Sequence, residues 1–272
     1  MIIFVRYANT ELRTLDLCNG LTNALTIEIK SCNFLHIMDN QRTLEPKTFS
    51  IVNIIIIINC ILFIPWILGY VTGFKQLLGY EFLFGALNIG FVQPQIPSID
   101  NGLQFSYQLL TSVFLHGNLA HLVLNMYALY AFGKPLERRW GSGHFLAFYL
   151  TVGVLANVAS YLFFRLTGAE NVSLIGASGA IYGVLLAFGS YYPEIKVLLF
   201  FIIPLKIKWM VPLFAIFELF IEMTGSADGV AHITHLFGFL FAFIYCLAVF
   251  RFNAVRQMYF SPLIVDDNER YR

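Results

Sequence analysis

The feature that most constrains this chain is its succession of long apolar runs. The first, from about Phe49 to Val71, holds unbroken isoleucine from Ile54 to Ile58. A helix needs ~20 predominantly apolar residues to cross the ~30 Å hydrocarbon core of a bilayer. Further runs cover roughly Leu115 to Leu136, Phe145 to Phe164, Ser178 to Tyr192, Trp209 to Glu222 and Val230 to Phe250. Only 12% of the 272 residues are charged, about half the ~25% usual in soluble domains. The chain therefore reads as an all-α, polytopic membrane protein with six transmembrane helices. A net charge of +1 gives no electrostatic footprint for nucleic acid. Cys18, Cys32, Cys60 and Cys246 show no C-x-x-C spacing and read as isolated thiols.

Residues 1–48 are poorly patterned and lack a hydrophobic stretch ending in a small-residue cleavage site, so no secretory signal peptide is read there. Met38-Asp39-Asn40-Gln41-Arg42 makes a natural polar lead into the first span, and Met38 is expected as an alternative start. The expected division is a poorly ordered N-terminal segment over 1–48, a membrane domain over 49–250 and a cytoplasmic tail over 251–272. The long connection from Thr72 to about Gln104 is rich in Phe, Leu and Tyr, and reads as an amphipathic piece lying in the interface. Basic residues set the orientation. Arg42 and Lys47 precede the first span; Lys134, Arg138 and Arg139 follow the second. Lys196, Lys206 and Lys208 follow the fourth, and Arg251 and Arg256 the sixth. The positive-inside rule then puts both termini in the cytosol. The minimal layout leads us to expect a bacterial inner membrane.

Within this frame the stretch Leu174-Ile175-Gly176-Ala177-Ser178-Gly179-Ala180-Ile181-Tyr182-Gly183 stands apart. It opens a short run, and Ser178 to Pro193 covers only ~22 Å of helix. Ser178 thus sits below one membrane face, at a helix start whose free N–H groups need water or a ligand. A serine between glycines is, by default, a small packing residue. It gains meaning only with partners at matching depth. His116, His121 and Asn125 lie in the second span, and His232 and His235 open the sixth. His235 to Arg251 measures ~24 Å and His121 to Arg138 ~25 Å, so serine, imidazole and amide fall near one plane.

A serine hydroxyl is a poor nucleophile until an imidazole takes its proton. That imidazole later protonates the leaving amine. The tetrahedral intermediate needs donors in place for its oxyanion, and His121, Asn125 and the Ser178 N–H could supply them. No carboxylate has the spacing to orient the base, which points to a Ser-His dyad. Gly179 and Gly183 on the fourth span, with Gly238 and Ala242 on the sixth, offer faces for close helix approach. The spacing leaves His232 and His235 both open as base. Glu137 and Arg139 read as an interfacial charge pair, and Glu218 and Glu222 lack an obvious partner.

Four separated motifs carry a resemblance: His116-x-x-x-x-His121-x-x-x-Asn125, Glu137-x-Arg139-x-Gly141, Gly176-x-Ser178-Gly179 with Tyr182, and Ala231-x-x-x-His235-x-x-Gly238. Over about Tyr107 to Phe250 the chain resembles the rhomboid family of intramembrane serine proteases. The resemblance implies a six-transmembrane-helix rhomboid-like bundle with a water-filled cavity, cleaving transmembrane segments of other proteins near their outer end. It implies Ser178 as nucleophile and His235 as base, since His-x-x-Gly fits His235 and not His232. It implies His121 and Asn125 as oxyanion donors, Tyr182 packed on the base, and His116, Gly176 and Gly238 in support. The family's Trp-Arg dipeptide stands here as Tyr107-Gln108, and its second glycine on the last span as Ala242. No cofactor, metal or nucleic acid is expected; the partners are transmembrane substrates and the bilayer. Two other readings compete. One is a silent rhomboid-like protein that binds or escorts transmembrane clients, which would be expected to lack the serine or the base. The other is a metal carrier or metalloprotease using His116, His121, His232 and His235, against which His-Glu-x-x-His is absent.

Overall fold

The computed structural model describes residues 4–5, 50–73, 87–89, 107–168, 172–199, 202–224 and 231–260. Apart from 4–5 in the N-terminal segment, the expected N-terminal segment, the Met38 start and the C-terminal tail past 260 lie outside these. So does most of the connection read as an interfacial piece. The fold is helical, with α1 at Ile51–Thr72, α2 at Leu119–Trp140 and α3 at Ser142–Thr167. The fourth run forms α4 at Ser178–Tyr191, followed by α5 at Ile207–Thr224, α6 at His232–Ala248 and a short α7 at Ala254–Tyr259. Among the described residues α1 and α3 are long and apolar enough to cross a membrane alone. A third span arises if α2 is joined to the helical piece 107–114, from which it is bent by 89°. The shorter α4 and α6 do not reach that length.

Sequence chemistry explains the boundaries. Ser50 opens α1 by accepting from the Asn53 amide, and Gly73 in left-handed conformation closes it. Asn118 opens α2 by accepting from the His121 amide at 2.8 Å. A π-helical turn at Leu129–Gly133 interrupts α2 halfway. Glu137 serves the N-terminus of α1 rather than standing simply as half of an interfacial pair. Its carboxylate accepts from Ser50 Oγ at 2.5 Å, the Ile51 amide at 2.5 Å and Ser142 Oγ at 2.8 Å. A negative group there also suits the helix dipole.

Burial places α4 at the centre. From Gly179 to Tyr191 every residue except Tyr182 is buried, the mark of a helix surrounded on all sides. It packs against α2, α3, α5, α6 and α7. By contrast α1, α5 and α6 expose Ile57, Ile61, Phe217, Phe220, Leu240 and Ile244, faces of the kind a bilayer covers. The glycines read as packing positions do allow close approach. A Cβ at Gly183 would lie 2.7 Å from Val152 Cγ1 and 3.1 Å from Ala242 Cβ. One at Gly238 would overlap the Gly179 carbonyl.

Two small sheets correct the sequence reading of loops. Lys196–Leu199 (β4) and Ile203–Lys206 (β5) form an antiparallel hairpin inside the stretch read only as mixed, and Phe4–Val5 (β1) pairs with β4. Glu194 pairs with Lys206 at 2.6 Å and with Lys208 beside that hairpin. Leu87–Ile89 (β2) pairs with Val172–Leu174 (β3), joining Leu87 to Leu174 and Ile89 to Val172. This ties part of the long connection to the segment that leads into Ser178.

Candidate active site

Ser178 is the first residue of α4, reached from β3 through Ile175, Gly176 and Ala177. Gly176 has φ 121, a value that side chains rarely adopt. Its amide donates to the Ser112 carbonyl at 2.8 Å, and Ser112 Oγ accepts from Asn157 Nδ2 at 2.9 Å. The turn into α4 is therefore held by the backbone, not by a cap. Ala177 makes no side-chain cap bond, leaving the first amides of α4 without a side-chain acceptor.

His235 lies on the first turn of α6 and is 8% exposed. Its Nε2 is 2.8 Å from Ser178 Oγ. The ring of Tyr182, one turn into α4, stacks on His235 with centroids 4.3 Å apart and planes 5° from parallel. The bare Gly238 explains how this contact forms: a Cβ there would fall on the Gly179 carbonyl, so α4 and α6 cross with no side chain between them. His232 does not reach the serine in this way; its Nδ1 lies 2.5 Å from Glu218 Oε2.

His121 lies over the other side of the turn. A Cβ on Gly176 would meet His121 Cε1 at 2.7 Å and Nε2 at 2.8 Å, with Ser178 Oγ at 3.6 Å. Asn125, one turn on, is 7% exposed, and its Nδ2 has no hydrogen-bond partner among the described residues. A buried amide donor left open, one turn from a histidine that lies over the serine's turn, is what an incoming oxygen would use. His116 sits edge-on to His121 with centroids 5.0 Å apart. Gln108, where the family dipeptide would fall, is buried at 4% exposure.

Glu218 is the residue that sequence reasoning missed. It is 4% exposed on α5, between exposed Phe217 and Leu219. One carboxylate oxygen accepts from the Tyr182 hydroxyl. The other lies 2.5 Å from His232 Nδ1 and 3.0 Å from His235 Nδ1. The expectation that no carboxylate reaches the base is thus corrected. Glu222 also has a partner, accepting from the Ile233 amide at 2.9 Å and so capping the start of α6. The available signal was two carboxyls one turn apart in an apolar run, a costly arrangement that demands partners. Glu218, His232 and His235 are also the set that could hold a metal ion, with one ligand atom each within 4.8 Å of the others. In this structure Glu218 Oε2 contacts both imidazole Nδ1 atoms directly.

A model of the Rhomboid domain matches residues 104–252. Rhomboid protease GluP of Bacillus subtilis (strain 168) is 43% identical over 79 residues, covering 29% of this chain and 14% of that protein. The mitochondrial presenilin-associated rhomboid-like protein of Mus musculus is 39% identical over 94 residues, covering 35% of this chain and 25% of that protein. Mitochondrial rhomboid protein 1 of Saccharomyces cerevisiae is 35% identical over 93 residues, covering 34% and 27%. The matched part thus spans between 14% and 27% of these relatives' own length. The expectation of a bacterial inner membrane is overturned: the relatives in Mus musculus, Danio rerio and Saccharomyces cerevisiae are mitochondrial proteins. A compact run of spans and a bias of basic residues fix orientation relative to a membrane, not which membrane it is. The cytoplasmic assignment of both termini falls with it.

Proposed function

The chain belongs to the rhomboid family, and on that premise we propose that it is a serine endopeptidase cleaving transmembrane segments within a mitochondrial membrane. Helices α1 to α6 form the six-span membrane domain over 49–250. One observation carries the reading: the 2.8 Å contact between Ser178 Oγ and His235 Nε2, which is within reach for proton transfer.

Ser178 Oγ attacks the scissile carbonyl carbon as its proton passes to His235 Nε2. The carbonyl oxygen becomes an oxyanion and takes donors from Asn125 Nδ2, His121 and the Ser178 amide. The intermediate collapses, the C–N bond breaks, and His235 returns the proton to the departing amine. Water then attacks the acyl-enzyme with His235 again as base. Tyr182, stacked on the imidazole, keeps the ring plane fixed through these steps. Because α4 is ~21 Å long, Ser178 works beneath the surface, where an unwound end of a substrate helix would enter.

The test is cleavage of a model transmembrane substrate by purified protein in liposomes. Ser178→Ala and His235→Ala are expected to be silent, His232→Ala active, and chelators without effect. Undiminished cleavage by Ser178→Ala would sink the reading.

A further inference from the structure

A serine protease base has two ring nitrogens with different tasks. To accept the serine proton at Nε2, neutral His235 must carry its own proton on Nδ1. Nδ1 therefore needs an acceptor on the side away from Ser178, and the group found there is Glu218. Its Oε2 lies 3.0 Å from His235 Nδ1. The approach is off the line of an aligned hydrogen bond, and Nδ1 has no other partner among the described residues.

We infer that Glu218 is the positioning residue for the base, so that Ser178, His235 and Glu218 work as one unit. This rests on the protease reading above and deepens it. Glu218 is itself held from two sides: Tyr182 donates to one oxygen and His232 Nδ1 sits 2.5 Å from the other. Tyr182 thus touches the base by its ring face and the carboxylate by its hydroxyl. His232 occupies the shorter share of Oε2 before reaction. When Ser178 Oγ bonds the carbonyl carbon, its proton moves to Nε2 and His235 becomes an imidazolium. Its Nδ1–H then faces Oε2 as a charge-assisted donor, and the 3.0 Å contact tightens. The Nε2 proton leaves on the amine nitrogen as the C–N bond breaks. Glu218 takes no proton at any point; it fixes the tautomer and stabilises the charged ring.

The experiment measures kcat and KM on a transmembrane substrate in liposomes for wild type, Glu218→Gln, His232→Ala and the double variant. It also records the imidazole N–H proton spectrum of protein carrying isotope-labelled histidine. Glu218→Gln is expected to lower kcat about 10²- to 10⁴-fold with KM unchanged, because the amide can present a donor to Nδ1 and favour the wrong tautomer. His232→Ala removes one of the two groups that hold Glu218 but leaves its Tyr182 bond, so it lowers kcat far less than Glu218→Gln does, and Glu218→Gln remains damaging in that background. A downfield Nδ1–H signal, lost in His235→Ala, persists in His232→Ala and disappears in Glu218→Gln. Wild-type kcat in Glu218→Gln overturns the inference while leaving the protease intact. So does a loss in His232→Ala as deep as that in Glu218→Gln, since the carboxylate would then serve His232. Should Glu218→Gln fail to fold, absence of the downfield signal from wild type and His232→Ala overturns it. Continued cleavage by Ser178→Ala is the separate result that rejects the protease reading itself.

Discussion

Gly238→Ala tests the helix crossing that brings serine and histidine together. The added methyl would fall on the Gly179 backbone carbonyl, closer than real Cβ atoms approach any atom, and backbone cannot swing aside. Restoring an ordinary C···O contact of ~3.3 Å requires α4 and α6 to part by about 1 Å at this point. Ser178 precedes Gly179 by one residue and His235 precedes Gly238 by three, so most of that movement reaches the reacting pair. Their 2.8 Å contact then opens beyond hydrogen-bond range. A misplacement of ~1 Å costs about 10²-fold in rate, and the overpacking itself destabilises by about 1–3 kcal/mol. Gly179→Ala is the control, since its Cβ would meet Thr234 Cγ2 at 3.2 Å and Ala156 Cβ at 3.3 Å. Those are tight contacts with side-chain atoms, and a much smaller loss follows. The assay is kcat/KM on a transmembrane substrate in liposomes, with a melting curve for each variant to show that it is folded. Wild-type kcat/KM in folded Gly238→Ala would refute the reasoning.

Three further outcomes follow from other parts of the fold. Asn125→Ala removes the open buried donor and is expected to lower kcat about 10²–10³-fold with KM unchanged; an effect on KM alone would move Asn125 to substrate binding. Glu137→Ala strips the acceptor from Ser50, Ile51 and Ser142; at about 1–3 kcal/mol for each donor left buried and unpaired, it lowers the melting temperature in detergent without changing KM. Glu194 is held below its ordinary carboxylate value of 4.5 by hydrogen bonds from Lys206 first and Lys208 second. Its stabilisation is therefore present above the unfolded value and lost as pH falls through the lowered folded one. Being mostly exposed, it contributes at most ~1 kcal/mol, so the melting difference between wild type and Glu194→Gln should be small at neutral pH and vanish in acid.

What the sequence made legible was what helical spacing controls. Ser178, His235, His121 and Asn125 could be ranked by depth because each sits a countable number of turns from a charged helix end. His235 separates from His232 once α6 is built: both Nδ1 atoms face Glu218 Oε2, but His235 also presents Nε2 to Ser178 Oγ. Glu218 was not legible in that way. Its contact with His235 depends on how α5 leans on α4 and α6, and on Tyr182 donating across from a third helix. The pairing of Leu87 with Leu174 joins residues far apart in sequence, so no local pattern announces it. Glu137 reads as half of an interfacial charge pair because Arg139 is near in sequence, whereas its acceptor role depends on the N-terminus of α1 arriving from far upstream.

The central claim is that Ser178 is made nucleophilic by His235. It is tested most directly by treating purified protein with a fluorophosphonate and mapping the adduct by peptide mass spectrometry. The expected result is a covalent adduct on Ser178 in wild type and in His232→Ala, and none in His235→Ala. An adduct on another residue, or labelling of Ser178 at the wild-type rate in His235→Ala, would contradict it.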